Sequence, residues 1–201
     1  MLSKNQVQII GLFRKNLFLK ATMLEIMHKL RKKSYQRIHE AIKELEQQNM
    51  IQTTRYGNSI ICELKLSPET TSTLAFLEEQ DALSKRIPNM HEILELKEFL
   101  EDILLVTGSY AKGTATARSD IDLAIITNGN AFHKQKLIEN LTALFTPKIH
   151  PIVVSHKDYV NMLLEKDQNY GKEILKNRLL FRNSAQYFEL IKEAVEHGFR
   201  G

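Results

Sequence analysis

Apolar residues in the first third of the chain recur at the three- and four-residue spacing of amphipathic helices. The third such segment shows this most clearly, because its apolar residues follow the i, i+3, i+4, i+7 pattern between Ile38 and Leu45. Ser3 and Thr22 each stand three residues before a Gln or Glu, which is the capping-box pattern of a helix start. The pattern therefore predicts helices over residues 3–15 and 22–30 and a third that starts at Ser34.

After residue 49 the pattern changes to two short strand-like runs, 50–56 and 60–66, on either side of Gly57-Asn58. That dipeptide suits a tight hairpin turn, since both residues tolerate positive φ. Three helices followed by a two-stranded hairpin resemble the winged helix-turn-helix domain. The resemblance covers residues 1–66 and implies that this segment binds double-stranded DNA, with its third helix in the major groove.

The charge of this segment agrees with a nucleic-acid partner. Residues 1–66 carry 12 Lys and Arg against 5 Asp and Glu, a net charge of +7, whereas residues 67–201 carry 16 against 19, a net charge of −3. The alternative is a three-helix scaffold for protein contacts or dimerisation. The resemblance implies three sets of DNA contacts. Base edges would be contacted by Ser34, Tyr35, Gln36 and Arg37, and phosphates by Lys32, Lys33 and Lys43. The wing tip around Arg55 and Asn58 would touch the DNA backbone or the minor groove.

A helix start separates the two charged segments. Ser67-Pro68-Glu69 combines a capping serine, a proline in the first turn and an acid at the positive end of the helix dipole. We therefore expect a linker helix within residues 67–87, which could join two copies of the chain as a homodimer. Ile87-Pro88-Asn89 interrupts the pattern, a further helix is predicted over 90–100, and residues 88–201 form the second module.

The second module carries the residues with chemistry. Two continuous apolar runs, 103–106 and 121–126, are typical of buried strands. Between them lie Gly108-Ser109, ten further residues, and then Asp120 and Asp122 at the start of the second strand. Because these aspartates are two positions apart on a strand, their side chains point to the same face. Converging carboxylates repel each other unless a cation joins them, and Mg²⁺ (or Mn²⁺) takes one or two carboxylates together with substrate phosphates.

The loop between these strands suits a bound phosphate. Gly108 lets the backbone approach an anion closely, and Ser109 adds a hydroxyl and an amide donor where a helix begins. Lys112 and Arg118 are cations in the same loop that could neutralise further phosphate charge. Together these residues predict a site for a nucleoside triphosphate with a metal ion, in which an attacking oxygen meets the α-phosphorus. The alternative is a strand–turn–strand with a capping serine and two surface aspartates.

Gly-Ser, a spacer and Asp-x-Asp at a strand start resemble the signature of the nucleotidyltransferase superfamily, with the diagnostic part at residues 106–123. The resemblance implies an α/β (α+β) chain, in which the winged helix-turn-helix precedes a small mixed sheet with flanking helices. It also implies a metal-dependent enzyme that moves a nucleoside monophosphate from a nucleoside triphosphate to a hydroxyl acceptor. The other function left open is a DNA-binding regulator whose second domain binds nucleotide without efficient catalysis. The remaining elements are predicted as helices over 132–145 and 185–197, a helix that starts with the capping box of Ser155 and Asp158 and reaches about Glu165, and strands over 149–154 and 179–181.

The chain departs from this resemblance at His150. Active members usually carry a third carboxylate on the next core strand, and the matching position in this sequence is His150. A histidine is neutral or cationic near pH 7 and does not replace a carboxylate as base or metal ligand on equal terms. It could still accept a proton from an incoming hydroxyl or contact a phosphate. The alternative is a partly buried strand histidine with a satisfied hydrogen bond.

Composition narrows the setting of the protein. Of the 201 residues 43% are hydrophobic and 26% are charged, which is ordinary for a globular protein and excludes disorder as the main state. The single cysteine, Cys62, excludes an intramolecular disulfide framework and fits a cytoplasmic location. No apolar run approaches the ~18 residues of a membrane span, and the N-terminal residues lack a signal-peptide core, so no membrane partner is expected.

Overall fold

Two compact units make up the chain in a computed structural model that describes residues 2–201. The first unit is Met1–Leu77 with Arg200–Gly201, and the second is Glu78–Phe199. The helix predicted within residues 67–87 is present as α4, Pro68–Leu83, and the boundary between the units lies inside it. Among residues 2–201, no helix combines the length and the apolar character that crossing a lipid bilayer requires.

The first unit packs three helices against a small antiparallel sheet. All the helices and both hairpin strands predicted for this segment are present, and Ser3 and Thr22 form the expected capping boxes. Gly57 lies in the hairpin turn at φ +57. A two-residue strand before the second helix pairs with the second hairpin strand; it is too short to produce a period in the sequence. The elements are α1 Lys4–Arg14, β1 Ala21–Thr22, α2 Met23–Lys29, α3 Tyr35–Gln47, β2 Ile51–Tyr56 and β3 Ser59–Leu64, with sheet order β1-β3-β2.

The second unit is built on a four-stranded mixed sheet with helices around it, which confirms the predicted α+β class. The strand order is β6-β5-β4-β7, in which β5 and β6 are parallel and the other two pairs are antiparallel. Its strands are β4 Ile103–Val106, β5 Ile121–Thr127, β6 Ile149–Ser155 and β7 Leu179–Arg182. Its helices after α4 are α5 Met90–Leu94, α6 Gly108–Lys112, α7 Ala131–Thr142, α8 His156–Leu164, α9 Tyr170–Lys176 and α10 Ser184–Glu196.

Alternation along β5 decides to which face of the sheet each of its side chains points. Ile121, Leu123 and Ile125 belong to a fully buried apolar cluster on one face of the sheet. Side chains alternate between the two faces of a strand, so Asp122 lies on the opposite face. In the parallel register Asp122 is paired with His150 of β6, which places both residues on that face.

The helix predicted over residues 90–100 is wrong in its second half. The α-helix ends at Leu94, and a short 3₁₀ helix, Lys97–Phe99, follows. The guanidinium of Arg182, on β7, donates to the carbonyl oxygens of Leu94 and Phe99, the latter at 3.3 Å. These carbonyls are satisfied by a residue more than eighty positions away, so the local sequence holds no sign of the break.

A buried ion pair joins α4 to the segment before β7. The Arg178 Nη2 atom lies 2.7 Å from Glu78 Oε1, and these side chains are only 4% and 6% exposed. The Arg178 guanidinium also lies over the ring of Tyr187, 5.0 Å from its centre. The Tyr159 hydroxyl donates to the Tyr187 hydroxyl at 2.9 Å. Burial raises the pKa of both tyrosines, because the phenolate would be desolvated.

Candidate active site

Gly108 and Asp122 meet where the chain leaves β4 alongside the start of β5. Gly108 has φ +61, in the left-handed region that favours glycine. A Cβ atom added at Gly108 would lie 1.8 Å from Asp122 Oδ2, so the glycine leaves the space in which this carboxylate lies. The backbone N–H of Thr107 donates to the carbonyl oxygen of Asp122 at 2.8 Å, which fixes the two strands at this point. The close approach that Gly108 permits in this structure is therefore an approach to the Asp122 carboxylate.

His150 lies against Asp120 on the same face of the sheet. His150 Nε2 is 3.2 Å from Asp120 Oδ2, and the two side chains are 57% and 48% exposed. The structure thus brings Asp120, Asp122 and His150 together at the amino ends of two parallel strands. His150 is exposed rather than partly buried, and the partner of its ring nitrogen is a member of the Asp-x-Asp pair.

The side chains at the amino ends of β5 and β6 suit a hard cation that takes some ligands from the protein and others from a substrate. Asp120 and Asp122 supply carboxylate oxygens, which Mg²⁺ and Mn²⁺ prefer, whereas the imidazole of His150 is a poorer ligand for them. Across residues 2–201 no group of three or more His, Cys, Asp or Glu side chains is arranged to hold a metal ion. A cation at this edge would therefore rest on two protein carboxylates, and phosphate oxygens and water would complete its coordination.

The residues predicted to hold phosphates are distributed along α6 and the loop that follows. Ser109 is the second residue of α6, and the N-cap residue Thr107 makes no side-chain bond to the first turn. Lys112, at the end of α6, lies with its Nζ 3.2 Å from Glu173 Oε1. Arg118 is exposed in the loop between α6 and β5. Gly108 is therefore brought against Asp122, while Lys112 is paired with an acid on another helix.

Sequence reasoning missed the helix that supplies this acid. α9 carries Tyr170, whose hydroxyl lies 3.4 Å from Thr107 Oγ1, and Glu173, which pairs with Lys112. The signal is weak, because the helix has only seven residues and Gly171 stands in its first turn. The one local indication is Asn169, whose side chain accepts from the Lys172 N–H as a helix cap.

Part of the predicted DNA-binding set lines one cavity in the first unit. The cavity has a volume of about 150 Å³ and lies at the start of α3; its lining residues are Asn5, Lys32, Lys33, Ser34, Arg37 and Ile38. The N-cap Ser34 accepts from the Arg37 N–H through its hydroxyl. Three cations therefore surround a space at the amino end of a 13-residue helix, where the helix dipole also favours an anion.

The other predicted DNA contacts lie outside that cavity. Tyr35 is 47% exposed and its hydroxyl donates to Met23 Sδ at 3.7 Å, while the Gln36 side chain donates to Glu40. Lys43 is exposed on α3. Arg55 Nε donates to the carbonyl oxygen of Gly57 at 3.2 Å, so this side chain is held at the hairpin turn.

Comparison with known proteins gives one match. The family model of the nucleotidyltransferase domain matches residues 76–181, which is more than half of the chain. The matched segment begins in α4, contains Gly108, Asp120, Asp122 and His150, and ends in β7. No curated protein and no solved structure matches the chain.

Proposed function

Because the chain belongs to the nucleotidyltransferase family, we propose that it transfers a nucleoside monophosphate from a nucleoside triphosphate to a hydroxyl acceptor. The observation that supports this proposal best is the contact of Gly108 with Asp122, close to the half-exposed Asp120 at the amino end of β5. The Asp122 carboxylate lies in a space that only a glycine leaves open, and contacts of this kind orient the ligands of metal sites.

Asp120 and Asp122 would hold Mg²⁺ or Mn²⁺, which supplies charge neutralisation to the triphosphate when bound. Gly108 and Ser109 present backbone amides and a hydroxyl to the phosphates at the start of α6, which the Thr107 side chain leaves uncapped. In the reaction the acceptor oxygen bonds to the α-phosphorus, the bond from that phosphorus to the bridging oxygen breaks, and pyrophosphate leaves. The acceptor proton passes to water. Positioning and electrostatic stabilisation dominate such phosphoryl transfers.

Lys112 and Arg118 differ in how readily their side chains could contact a bound phosphate. Lys112 begins paired with Glu173, so binding a phosphate would require that contact to loosen. Arg118 is exposed in its loop, so its side chain could reach a phosphate of the bound substrate. His150 stands at the position of the third carboxylate, and we propose that transfer is slow for this reason.

The experiment that tests the proposal is incubation with labelled ATP, Mg²⁺ and a panel of hydroxyl acceptors. We expect the label to move to an acceptor in the wild-type protein and to stay in the nucleotide in Asp120→Ala. Asp167→Ala removes an exposed carboxylate outside the site and is the matched control, which should keep the wild-type rate. Equal rates in Asp120→Ala and the wild type would contradict the proposal. Metal-dependent ATP binding without transfer to any acceptor would instead favour the nucleotide-binding regulator.

DNA binding by the first unit is a second candidate function, and the cavity at the start of α3 favours it. Residues 1–66 of this unit have a net charge of +7. Lys32, Lys33 and Arg37 surround a space into which a phosphate would fit. The order of three helices and a hairpin supports this candidate, because in a winged helix-turn-helix domain the third helix contacts duplex DNA.

A homodimer of the chain through α4 is a further proposal. Phe76 and Leu83, which are both exposed and lie seven residues apart on this helix, would form the contact between the two copies.

The test of DNA binding is the salt dependence of duplex affinity. Replacing Lys32, Lys33 and Arg37 with alanine should weaken binding and reduce the slope of log K against log salt by about 0.9 for each phosphate that is no longer neutralised. The control variant replaces three exposed lysines of the second unit, Lys97, Lys157 and Lys166, and should leave the slope unchanged. Equal slopes for the first variant and the wild type would show that this surface is not a DNA interface.

A further inference from the structure

Tyr170 is connected to Asp122 through one intermediate residue. The hydroxyl groups of Tyr170 and Thr107 lie 3.4 Å apart, and Thr107 Oγ1 donates to the carbonyl oxygen of Asp122 at 3.5 Å. In the arrangement that keeps the Thr107 proton on the Asp122 carbonyl oxygen, the Tyr170 hydroxyl is the donor to Thr107. Thr107 is 2% exposed, so the residue that links Tyr170 to Asp122 is buried. This chain of hydrogen bonds ends on the backbone of the residue whose carboxylate lies against Gly108.

The helix that carries Tyr170 is firmly placed. Glu173, one turn further along α9, pairs with Lys112 at the end of α6. Gly171 is buried, and a Cβ there would lie 2.6 Å from the Cβ of Met162, so α9 packs closely on α8. α9 therefore contacts the site on both sides of Gly108, through Thr107 before it and Lys112 after it.

We propose that Tyr170 is a positioning residue for nucleotidyl transfer, whose hydroxyl holds the Thr107–Gly108 turn against Asp122. This inference rests on the proposed function. Burial, with the negative charges of Asp122 and Glu173, raises the pKa of Tyr170, although the hydrogen bond with Thr107 acts in the other direction, so the hydroxyl keeps its proton. The bond between Tyr170 and Thr107 and the bond from Thr107 to Asp122 are both long in the free protein. Bonds of this kind in active sites often shorten only when the substrate is bound. We therefore expect their contribution to appear in the rate of transfer.

The test compares Tyr170→Phe with variants that remove other hydroxyl groups. We expect Tyr170→Phe to lower kcat about fivefold to tenfold, the rate equivalent of one hydrogen bond, with KM for the nucleotide within about twofold of the wild type. Thr107→Val should lower kcat by the same factor, and Thr107→Ser, which keeps the hydroxyl, should have the wild-type kcat. The double variant of Tyr170→Phe with Thr107→Val should be no slower than either single variant. Tyr159→Phe is the matched control, because it removes a buried tyrosine hydroxyl that bonds Tyr187 outside the site.

The outcomes separate this inference from the proposed function. Equal kcat for Tyr170→Phe and the wild type, while Asp122→Asn abolishes transfer, would overturn the positioning role alone. Loss of rate in Tyr159→Phe as large as in Tyr170→Phe, with equal losses of thermal stability, would overturn it too, because a structural effect would then explain both. Transfer at the wild-type rate in Asp122→Asn, or no transfer in the wild type, would overturn the proposed function, and the positioning role with it.

Discussion

The Asp122 carboxylate occupies the space that a side chain at Gly108 would need, 1.8 Å from the position of its Cβ. We predict that Gly108→Ala displaces this carboxylate and lowers Mg²⁺-dependent ATP affinity at least about tenfold, the equivalent of one charge-assisted hydrogen bond. Its positive φ adds a folding cost of about 1–2 kcal/mol. Calorimetry and urea unfolding measure the two effects.

Gly113→Ala is the matched control for this substitution. Gly113 has φ +71, but nothing lies within 4 Å of its Cβ position. It should therefore show the same folding cost of about 1–2 kcal/mol without the loss of ATP affinity. Equal ATP affinities in the two variants would mean that the contact with Asp122 is not important for binding.

His150→Asp tests the position of the third carboxylate. We expect it to raise turnover more than nucleotide affinity, since a carboxylate adds a hard metal ligand while the Asp-x-Asp pair already binds the triphosphate. His150 Nε2 is 3.2 Å from Asp120, so the new carboxylate would also repel Asp120 when no metal is bound. The thermal midpoint should consequently fall in chelator and recover with Mg²⁺ more than in the wild type.

His150→Asn, which adds no charge, is the control for that experiment. It should show neither the gain in turnover nor the metal-dependent recovery. A wild-type rate of ~10 s⁻¹ or above, which is typical of efficient enzymes, with no gain in His150→Asp would contradict the assignment of this position.

The Glu78–Arg178 ion pair should contribute more to the stability of the second unit than an exposed ion pair of the same helix. Glu78→Gln removes the negative charge beside a guanidinium that is 4% exposed, and we expect a loss of about 3–5 kcal/mol in the free energy of unfolding. Asp81→Asn in the same helix breaks a pair with Lys85, 3.7 Å apart, whose side chains are 34% and 51% exposed, and should cost about 0–1 kcal/mol. Urea denaturation distinguishes the two, and equal costs would contradict the assignment.

Local patterns were enough to predict the strands and the Asp-x-Asp pair, because they depend on residues close together in the chain. Gly108, Asp120 and Asp122 fall within fifteen positions, and the apolar runs around them are continuous. The helix α9 could not be predicted in the same way. Its seven residues are too short a segment to show a helical period. What fixes the helix is packing against Met162 and the contact of Glu173 with Lys112.

Contacts between distant segments explain the other differences. The predicted helix over 90–100 breaks because Arg182 takes two of its carbonyl oxygens. The contact between His150 and Asp120 needs the parallel pairing of β5 with β6, which the sequence of either strand alone does not specify. Sequence reasoning found the position of His150 by resemblance, whereas the distance to its partner comes from the fold.

Alkaline pH should destabilise the protein. Burial raises the pKa of the Cys62 thiol from 9.0 to about 12, and the charge of Glu46 adds to this effect. Between these values the unfolded chain releases a proton that the folded chain keeps, so the free energy of unfolding falls as pH rises, by about 1.4 kcal/mol per pH unit for one group. The stabilisation is fully present below pH 9, and Tyr159 and Tyr187 extend the loss above pH 10.

Urea unfolding at several pH values measures this loss. Cys62→Ala should reduce the slope between pH 9 and 10, before the tyrosines contribute. A free energy of unfolding that stays constant from pH 9 to 11 would contradict the burial of these groups.

Calorimetric titration of ATP is the most direct test of the central claim, that Asp120 and Asp122 hold a metal ion for a nucleoside triphosphate. The wild type and the exposed control Asp167→Asn should bind ATP with Mg²⁺ or Mn²⁺ and lose most of that affinity in chelator. Asp122→Asn should bind weakly and equally in both conditions, because one carboxylate no longer retains the ion. ATP affinity that is the same with metal and with chelator in the wild type, and unchanged in Asp122→Asn, would contradict the account.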